Sequence, residues 1–221
     1  MRGKIAILVM LLGQAWALVL QAQQVVDRIV ARIEDDILTQ SEVRELGQFQ
    51  QLLNGPGAGG PSGLPGEEKL IGRLIDQWIV NAEAAAARFP LPAKAEVQRE
   101  VERLAAQFDS AAAYRARLKK LELTPESVAR QVERQIYLAR YLDYKFRPAT
   151  QVESAQAEKY YREELLPELR RRGQEAPAME AVEEQIRELL TQREISARAV
   201  RWLEDTRARL KIEIAEKKNT P

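Results

Sequence analysis

Apolar residues recur at helical spacing through most of this chain, and strand-like alternation occurs at its two ends. Within residues 67–88, apolar side chains return every three or four positions, which is the spacing of a helix with one buried face. These positions are Leu70, Ile71, Leu74, Ile75, Trp78, Ile79 and Ala82. Residues 25–38 and 210–214 instead alternate apolar with polar side chains, as strands do. The pattern predicts a mainly α-helical fold with a small β-sheet contributed by both ends.

The N-terminal strand-like stretch, VVDRIVARIEDDILTQ, has the features of a hairpin that leads into a helix. One predicted strand face carries Ile29, Ala31 and Ile33, and the other carries Val26 and Val30. Asp35 and Asp36 suit a tight turn, because Asp tolerates left-handed backbone geometry. Residues 37–38 then return as a short second strand. Thr39 and Glu42 have the spacing of a capping box, which predicts that a helix begins there.

The C-terminal stretch, LKIEI, offers this hairpin a third strand. Leu210, Ile212 and Ile214 alternate there with Lys211 and Glu213. An isolated two-stranded hairpin is marginally stable in water and needs a third strand or a packed helix. We therefore predict that the two ends of the chain pair in one small sheet and close the protein on itself.

Between the ends, apolar periodicity, proline and capping residues predict a series of helices. The expected bounds are 67–88, about 93–108, a short helix from Asp109 or Ser110 to near Leu121, 125–146, a helix after a capping box at Thr150 and Glu153, and 179–210. In the last helix, the expected core positions are Val182, Ile186, Leu189, Leu190, Val200 and Leu203. Residues 54–66, NGPGAGGPSGLPG, predict a flexible loop.

The first 22 residues, MRGKIAILVMLLGQAWALVLQA, have the three parts of a signal peptide: a basic start, an apolar stretch and small residues. Cleavage is expected near Ala22, with Ala17 as the alternative. The apolar run is shorter than the ~20 residues that a membrane span needs, so we expect export without stable membrane insertion. Removing residues 1–22 changes the formal net charge from +1 to −1. A chain so close to neutral gives no electrostatic reason to bind nucleic acid.

The chain contains no cysteine and no histidine. An exported protein without cysteine has no disulfides, so its fold must rest on a hydrophobic core. Zinc sites built from Cys and His, Cys nucleophiles, and Ser-His or Cys-His pairs are excluded. Adjacent acidic pairs such as Glu163 and Glu164 lie about 100° apart on a helix, which is typical of solvated helix faces. We predict no catalytic residue, no metal ligand and no cofactor.

The helix predicted at 125–146 carries tyrosines along one side. Tyr137, Tyr141 and Tyr144 form a stripe roughly opposite an apolar face made of Val128, Val132, Ile136, Ala139 and Phe146. Tyrosine suits surfaces that are apolar yet hydrated, because it combines ring area with a hydroxyl group. The stripe has two interpretations: a central helix packed on both sides, or a surface that contacts a bound peptide.

Several segments also resemble a known family. QVVDRIVARIEDDILTQSEV strongly resembles the start of mature SurA-type periplasmic chaperones, and EKLIGRLIDQWIV resembles the second helix of that family. LELTPESVARQVERQIYLARYL is similar to its central helix, and VEEQIRELLTQREISARAVRWLEDTRARLKIEI to its C-terminal helix and strand. The resemblance implies an α-helical chaperone core over residues 23–169, and a C-terminal segment over 179–221 that packs back on it. It also implies ATP-independent binding of unfolded outer-membrane proteins in the periplasm.

One departure from the family bears on enzyme activity. Its members usually carry parvulin-type prolyl isomerase domains before the last helix, whereas here the ten residues RRRGQEAPAM separate the two flanking helices. The linker over 170–178 leaves no room for such a domain. The resemblance therefore implies a chaperone core without the isomerase, and not an enzyme.

These expectations lead to one preferred function and two alternatives. The preferred function is a periplasmic chaperone that holds unfolded outer-membrane or other exported proteins in a cleft between helices. Its candidate client-binding residues are Tyr137, Tyr141, Tyr144 and Trp78. The alternatives are a prolyl isomerase, the activity that the family label suggests, and a helical scaffold with one fixed partner in the cell envelope.

Overall fold

The computed structural model describes residues 27–54 and 66–215. The predicted signal peptide, most of the predicted loop at 54–66, and the last six residues lie outside these ranges. The strands are β1 (Ile29–Ile33), β2 (Asp36–Thr39) and β3 (Ile212–Ile214). The helices are α1 (Gln40–Leu53), α2 (Glu67–Ala86), α3 (Lys94–Ala105), α4 (Ala111–Lys120), α5 (Pro125–Phe146), α6 (Ser154–Tyr160), α7 (Leu166–Arg171) and α8 (Met179–Arg207). The fold is mainly α-helical with one small sheet, as the sequence predicts.

The sheet joins the two ends of the described chain. Its strand order is β2-β1-β3 with both pairs antiparallel, and Ile33 of β1 faces Asp36 of β2 and Ile212 of β3. The backbone N–H of Glu34 donates to the carbonyl of Lys211 at 3.0 Å, and the N–H of Lys211 donates to the Glu34 carboxylate at 2.8 Å. The predicted pairing of the hairpin with a C-terminal strand is confirmed.

Two details of the predicted hairpin are wrong. The turn lies at Glu34 and Asp35, where Glu34 adopts a left-handed φ of 50°, and Asp36 already belongs to β2. The strand faces also differ from simple alternation, because Val30 and Ala31 are both buried. The pairing of β1 with β2 shifts register between Ile29 and Ala31, and such an irregularity turns two consecutive side chains toward the core.

Local capping fixes where helices begin. Thr39 caps α1 in a capping box with Glu42, and the backbone N–H of Thr39 donates to the Glu42 carboxylate at 2.8 Å. At α5, Thr124 accepts a hydrogen bond from the N–H of Ser127 and Pro125 occupies the first turn. The box predicted for α6 is shifted: Glu153 is the cap and Gln156 its partner.

The helix that follows Glu153 changes its winding before it ends. Residues Tyr161–Leu165 form a π-helix, in which the N–H of Leu166 donates to the carbonyl of Tyr161. Pro167 lacks an N–H and its ring clashes with the carbonyl four residues earlier, so the helix widens instead of continuing with normal spacing. The hydroxyl of Tyr161 donates to the carbonyl of Pro177 at 2.6 Å, which ties this widened turn to the segment before α8.

Buried apolar residues form three clusters. The first packs the sheet on α1 and α2, the second joins α1, α3, α4 and α5, and the third joins α2 to the tyrosine side of α5. Side chains of α8, Trp202 and Leu203, pack against the first and third clusters. The C-terminal helix therefore covers α2 and α5, next to the strand that completes the sheet.

The buried face of α8 differs from the predicted one. Its buried residues are Ile186, Thr191, Ile195, Ala199 and Thr206, whereas Leu189 and Val200 are exposed. α8 packs against three helices, α6, α5 and α2, so no single straight face of it is covered along its whole length. Among the described helices, none is long and apolar enough to cross a membrane.

Candidate functional site

The tyrosine side of α5 is mostly buried. Tyr137 and Tyr141 have 8% and 4% of their surface exposed, because Phe89 from the loop after α2 packs against both rings at centroid distances of 5.8 and 5.5 Å. The hydroxyl of Tyr137 donates to the carbonyl of Phe89 at 3.4 Å. Tyr144 also contacts Phe89, at 5.3 Å, but 63% of it is exposed.

These positions favour the interpretation of α5 as a central helix packed on both sides. In this conformation Tyr137 and Tyr141 hold the third cluster together, and a client cannot reach their rings. The candidate surface predicted from the tyrosine stripe therefore reduces to Tyr144. The burial depends on Phe89, which is distant from the tyrosines in sequence, so the spacing within the helix could not reveal it.

Trp78 supports the sheet. Its indole N–H donates to the Asp36 carboxylate at 2.8 Å, and its ring packs against the first apolar cluster. This contact places Trp78 beside β2, on a different part of the protein from Tyr144. The structure does not bring the four predicted client-binding residues together on one surface.

The structure instead reveals a groove between α3 and α5, which we call the aliphatic groove. Its volume is about 370 Å³. It is lined by Leu53, Leu104, Val132, Ile136 and Ala139, with Glu100, Arg103, Gln107 and Gln135 around them. Leu53 is 39% exposed.

The sequence pattern did not predict this groove, although several residues that line it belong to the predicted apolar face of α5. Val132, Ile136 and Ala139 lie on the face of α5 that the apolar pattern predicts to be buried. In the structure Val132 is buried, Ile136 is half-buried and Ala139 is exposed, because the contact between α3 and α5 does not cover the whole face. One signal could have indicated the groove: the apolar face of α5 is longer than α3, which spans only Lys94–Ala105 and cannot cover all of that face.

A second depression, the aromatic groove, continues along α5. Its volume is about 540 Å³, and it is lined by Phe89, Ala139, Arg140, Asp143, Tyr144 and Gln192. Ala139 lines both grooves. The two grooves meet at Ala139, and we call them together the α5 path. From Val132 to Tyr144 the path covers about 18 Å along the helix axis, at 1.5 Å per residue, and turns about 120° around the helix.

Charged groups beside this path are paired with one another. Glu100 contacts Arg103 at 2.6 Å, Glu96 contacts Arg140 at 3.1 Å, and Asp143 contacts Arg147 at 2.8 Å. Hydrogen bonds from Arg147 lower the pKa of the Asp143 carboxyl. Each of these carboxylates has a positively charged partner. The surface next to the apolar path is therefore close to neutral.

Arg147 also fixes the end of α5 to α8. Its guanidinium makes two hydrogen bonds to the Glu188 carboxylate, at 2.9 and 2.8 Å. This contact lowers the pKa of Glu188 to about 2, so the ion pair persists at every pH at which the protein is expected to work. It holds α8 beside the aromatic groove, where Gln192 is one of the lining residues.

The carboxylate of Asp143 lines the path beside its partner Arg147. Its pKa is lowered by this contact, which does not suit a general acid at neutral pH. Within the described ranges, no group of three acidic residues is arranged to hold a metal ion. What the path offers is apolar side chains with partly exposed surface, beside charges that are already neutralised.

Another cavity, of about 750 Å³, lies between α6 and α8. It is more polar than the α5 path, because charged side chains line much of it and pair across or along it. Arg193 contacts Glu164 at 3.0 Å and stacks over the ring of Tyr160 at 4.9 Å, and Arg198 contacts Glu194 at 2.9 Å. The contacts of Arg193 join α8 to the end of α6 and to the π-helical turn after it, whereas the pair of Arg198 and Glu194 lies within α8. A larger share of the lining is polar here than in the aliphatic groove.

No protein-family model matches this chain, and no curated protein matches it in sequence. The resemblance to SurA-type chaperones therefore stays a prediction that rests on the segments quoted above.

Proposed function

We propose that this protein is a periplasmic, ATP-independent chaperone that holds unfolded outer-membrane or other exported proteins without enzymatic activity. Its client-binding surface is the path formed by the aliphatic and aromatic grooves along α5. The observation that carries this proposal is the row of partly exposed apolar side chains on a surface whose charges are already paired. The segments that resemble SurA-type chaperones support the same function, and the predicted signal peptide supports the location.

The size of the path suits a short extended segment. A strand advances about 3.3 Å per residue, so about 18 Å accommodates five or six residues of an extended chain. In such a segment alternate side chains point the same way, and two or three of them would enter the grooves. This is the pattern of strands from membrane β-barrels, in which apolar and polar residues alternate.

The expected affinity suits a protein that must release its clients. Full burial of one aliphatic side chain contributes about 2 kcal/mol, so two or three such contacts contribute about 4–6 kcal/mol before ordering costs. That range corresponds to dissociation constants from about a millimolar to tens of micromolar for one segment. A long unfolded client offers several segments, and its repeated weak contacts slow aggregation while each contact stays reversible.

Two assays on the mature protein test the proposal. In the first, a denatured outer-membrane β-barrel protein is diluted from urea, and light scattering follows its aggregation with and without the protein. We expect slower aggregation in proportion to the amount added, in the absence of ATP. No effect at a severalfold molar excess would contradict the proposal.

The second assay separates a chaperone from an isomerase. A protease-coupled measurement on a proline-containing peptide reports the rate of cis-trans isomerisation. We expect the rate to equal the uncatalysed rate. Turnover that grows with enzyme concentration would show that the protein is a prolyl isomerase and would overturn the non-enzymatic part of the proposal.

A further inference from the structure

The small sheet has an open edge at β3. Backbone groups of successive residues in a strand point alternately to its two sides. The carbonyl of Lys211 accepts a hydrogen bond from β1 at 3.0 Å, and the N–H of Ala215 donates one to β1 at 2.9 Å. The backbone groups of these two residues, and of Glu213 between them, therefore point toward β1. Those of Ile212 and Ile214 point away from it.

The outward groups of Ile212 and Ile214 are two N–H donors and two carbonyl acceptors. Within residues 27–54 and 66–215, none of them has a hydrogen-bond partner. The opposite edge of the sheet is less open, because the N–H of Thr39 donates to the Glu42 carboxylate and the chain enters α1 there. A strand edge with unpaired backbone groups is a template for another strand.

The sequence at this edge is complementary to itself in the antiparallel direction. When two β3 strands pair around Ile212, Lys211 of each copy lies opposite Glu213 of the other. Leu210 lies opposite Ile214 of the other copy in the same way. Opposite charges across a strand pair stabilise it, and so do apolar pairs. The sequence LKIEI therefore matches a second copy of itself in both charge and apolar pattern.

The side chains at this edge are accessible for such contacts. Lys211 and Glu213 are 74% and 58% exposed and contact each other at 3.2 Å within one chain. An exposed pair of this kind contributes little, so exchanging it for pairs between two copies costs little. Ile214 is 57% exposed, whereas Leu210 packs against the first apolar cluster. Beside Leu210 of a second copy, Ile214 would lose exposed apolar surface.

We propose that the β3 edge pairs with the β3 edge of a second copy of this chain, so that two sheets join in the order β2-β1-β3-β3-β1-β2. The two copies of Ile212 exchange two backbone hydrogen bonds, and an ion pair between Lys211 and Glu213 lies on each side of them. A shift of the pairing by two residues would place Glu213 opposite itself, which is unfavourable because like charges repel.

The dimer is weak and reversible. Two short strands bury much less than the ~1,000 Å² of a stable interface, so we expect the dimer to form at roughly 0.1–1 mM. Such a dimer carries two α5 paths, and under the function proposed above one long client can contact both. The pairing itself does not rest on that function.

Charge exchange in the mature protein tests the pairing. Analytical ultracentrifugation follows dimer formation from tens of micromolar to about 1 mM protein. Lys211→Glu and Glu213→Lys each place like charges across the paired strands, and the double variant with both substitutions restores opposite charges. The matched control is Lys159→Glu, which breaks an ion pair with Glu163 that is similarly exposed, at 70% and 63%, but lies outside the sheet. Thermal unfolding of dilute protein checks that each variant is folded.

We expect each single variant to weaken dimer formation about tenfold or more, because two attractive pairs become repulsive. The double variant and the control should dimerise as the wild type does. An equimolar mixture of the two single variants should also dimerise as the wild type does, because each variant then faces opposite charges on the other. Equal dimer formation by the wild type and both single variants would place the contact elsewhere and overturn the proposal.

Amide hydrogen exchange of the wild type reports on the edge directly. The N–H of Ile212 should exchange quickly in dilute protein and more slowly as the concentration rises, whereas that of Glu213, which points to β1, should be protected throughout. A monomer at every concentration, with unchanged exchange at Ile212, would overturn the proposal. Protection of Ile212 by an added peptide of alternating apolar pattern, but not by the protein itself, would overturn it too and assign the edge to a client strand. None of these outcomes affects the proposed function, which the aggregation assay tests separately.

Discussion

The sheet and the α5 path contain the same types of apolar residue, but these residues are buried in the sheet and partly exposed on the path. In the sheet, Ile33 is completely buried, because it lies in a cluster with side chains of α1 and α2 and Ile212 of β3 packs beside it. On the α5 path, Ile136 and Leu53 keep part of their surface exposed among the described residues. The C-terminal strand β3 completes the sheet, whereas α3 is too short to cover the whole apolar face of α5.

This contrast separates stability from binding. Substitutions in the sheet and under α8 should reduce the free energy of unfolding and leave the groove surface intact in the molecules that stay folded. Substitutions on the path should change client binding and leave stability nearly unchanged. The predictions below run from the largest expected effect to the smallest.

The largest effect is expected from Ile33→Ala. Ile33 has no exposed surface, and such a truncation in a core costs about 2–5 kcal/mol of unfolding free energy. Urea denaturation followed by circular dichroism measures the loss. The control is Ile37→Ala, on the exposed side of the neighbouring strand, which should change stability by less than about 0.5 kcal/mol. Equal effects of the two substitutions would mean that Ile33 is not buried in the core in solution.

The next effect concerns the attachment of α8. The Nε of Arg207 donates to the Asp76 carboxylate at 2.8 Å, and its Nη2 donates to the carbonyl of Gly72. Arg207→Gln leaves a half-buried carboxylate without its counter-charge, so we expect a loss of about 1–2 kcal/mol at neutral pH. A stability change within error would show that α8 is not held on α2 by this contact.

The same variant predicts a pH dependence. Burial raises the pKa of Asp76 above its usual value, and Arg207 partly offsets that rise. A carboxyl whose pKa is raised by folding stabilises the folded state below that pKa and loses this contribution as pH rises through it. Removing Arg207 raises the pKa of Asp76 further. The free energy of unfolding of the variant should therefore be closest to that of the wild type near pH 4, and the difference should grow toward pH 7. Urea denaturation across this range tests the sign, and an equal deficit at all pH values would contradict it.

A smaller effect, on binding alone, is expected from Ala139→Glu. Ala139 is an exposed residue of α5 that lines both grooves, so a carboxylate there would have to be desolvated when an apolar segment binds. We expect about tenfold weaker binding of an apolar peptide with little change in the midpoint of unfolding. The matched control is Ala82→Glu, at an exposed position of α2 outside the grooves, which should bind normally. Wild-type binding by Ala139→Glu would place the client elsewhere.

The smallest effect compares two tyrosines of α5. Tyr144→Ala removes an exposed ring from the aromatic groove, so binding of an aromatic-containing peptide should weaken about threefold while stability changes by less than about 0.5 kcal/mol. Tyr141→Ala serves as the reference: it empties a buried site and should cost about 3 kcal/mol of stability. A reversed pattern, with Tyr144 controlling stability, would show that Phe89 does not cover Tyr141 in solution.

Sequence patterns predicted the parts of the fold that depend on near neighbours. The capping box at Thr39, the capping residue and proline at the start of the helix predicted at 125–146, and the alternation at the two ends are local signals, and they located α1, α5 and the sheet. The turn was misplaced by one residue. Glu34 adopts the left-handed φ, and both its backbone N–H and its carboxylate bond to Lys211 at the far end of the described chain, a contact that no local pattern reveals.

The candidate site was less predictable for the same reason. Burial of Tyr137 and Tyr141 depends on Phe89, and exposure of Ala139 depends on where α3 ends. In α8, which packs against α6, α5 and α2, Val200 is 54% exposed although the apolar pattern predicts that it is buried. A helical periodicity identifies an apolar face, but the lengths and positions of the neighbouring helices decide which part of that face stays open.

The most direct test of the central claim is site-specific photo-crosslinking to a denatured outer-membrane β-barrel protein. A photoreactive amino acid is placed in turn at Ile136 and Tyr144 on the path, and at Ile37 on the exposed side of the sheet. We predict strong crosslinks from positions 136 and 144, and few from position 37, although all three have exposed apolar surface. Crosslinks from position 37 as strong as those from the path, or none from the path, would contradict the account.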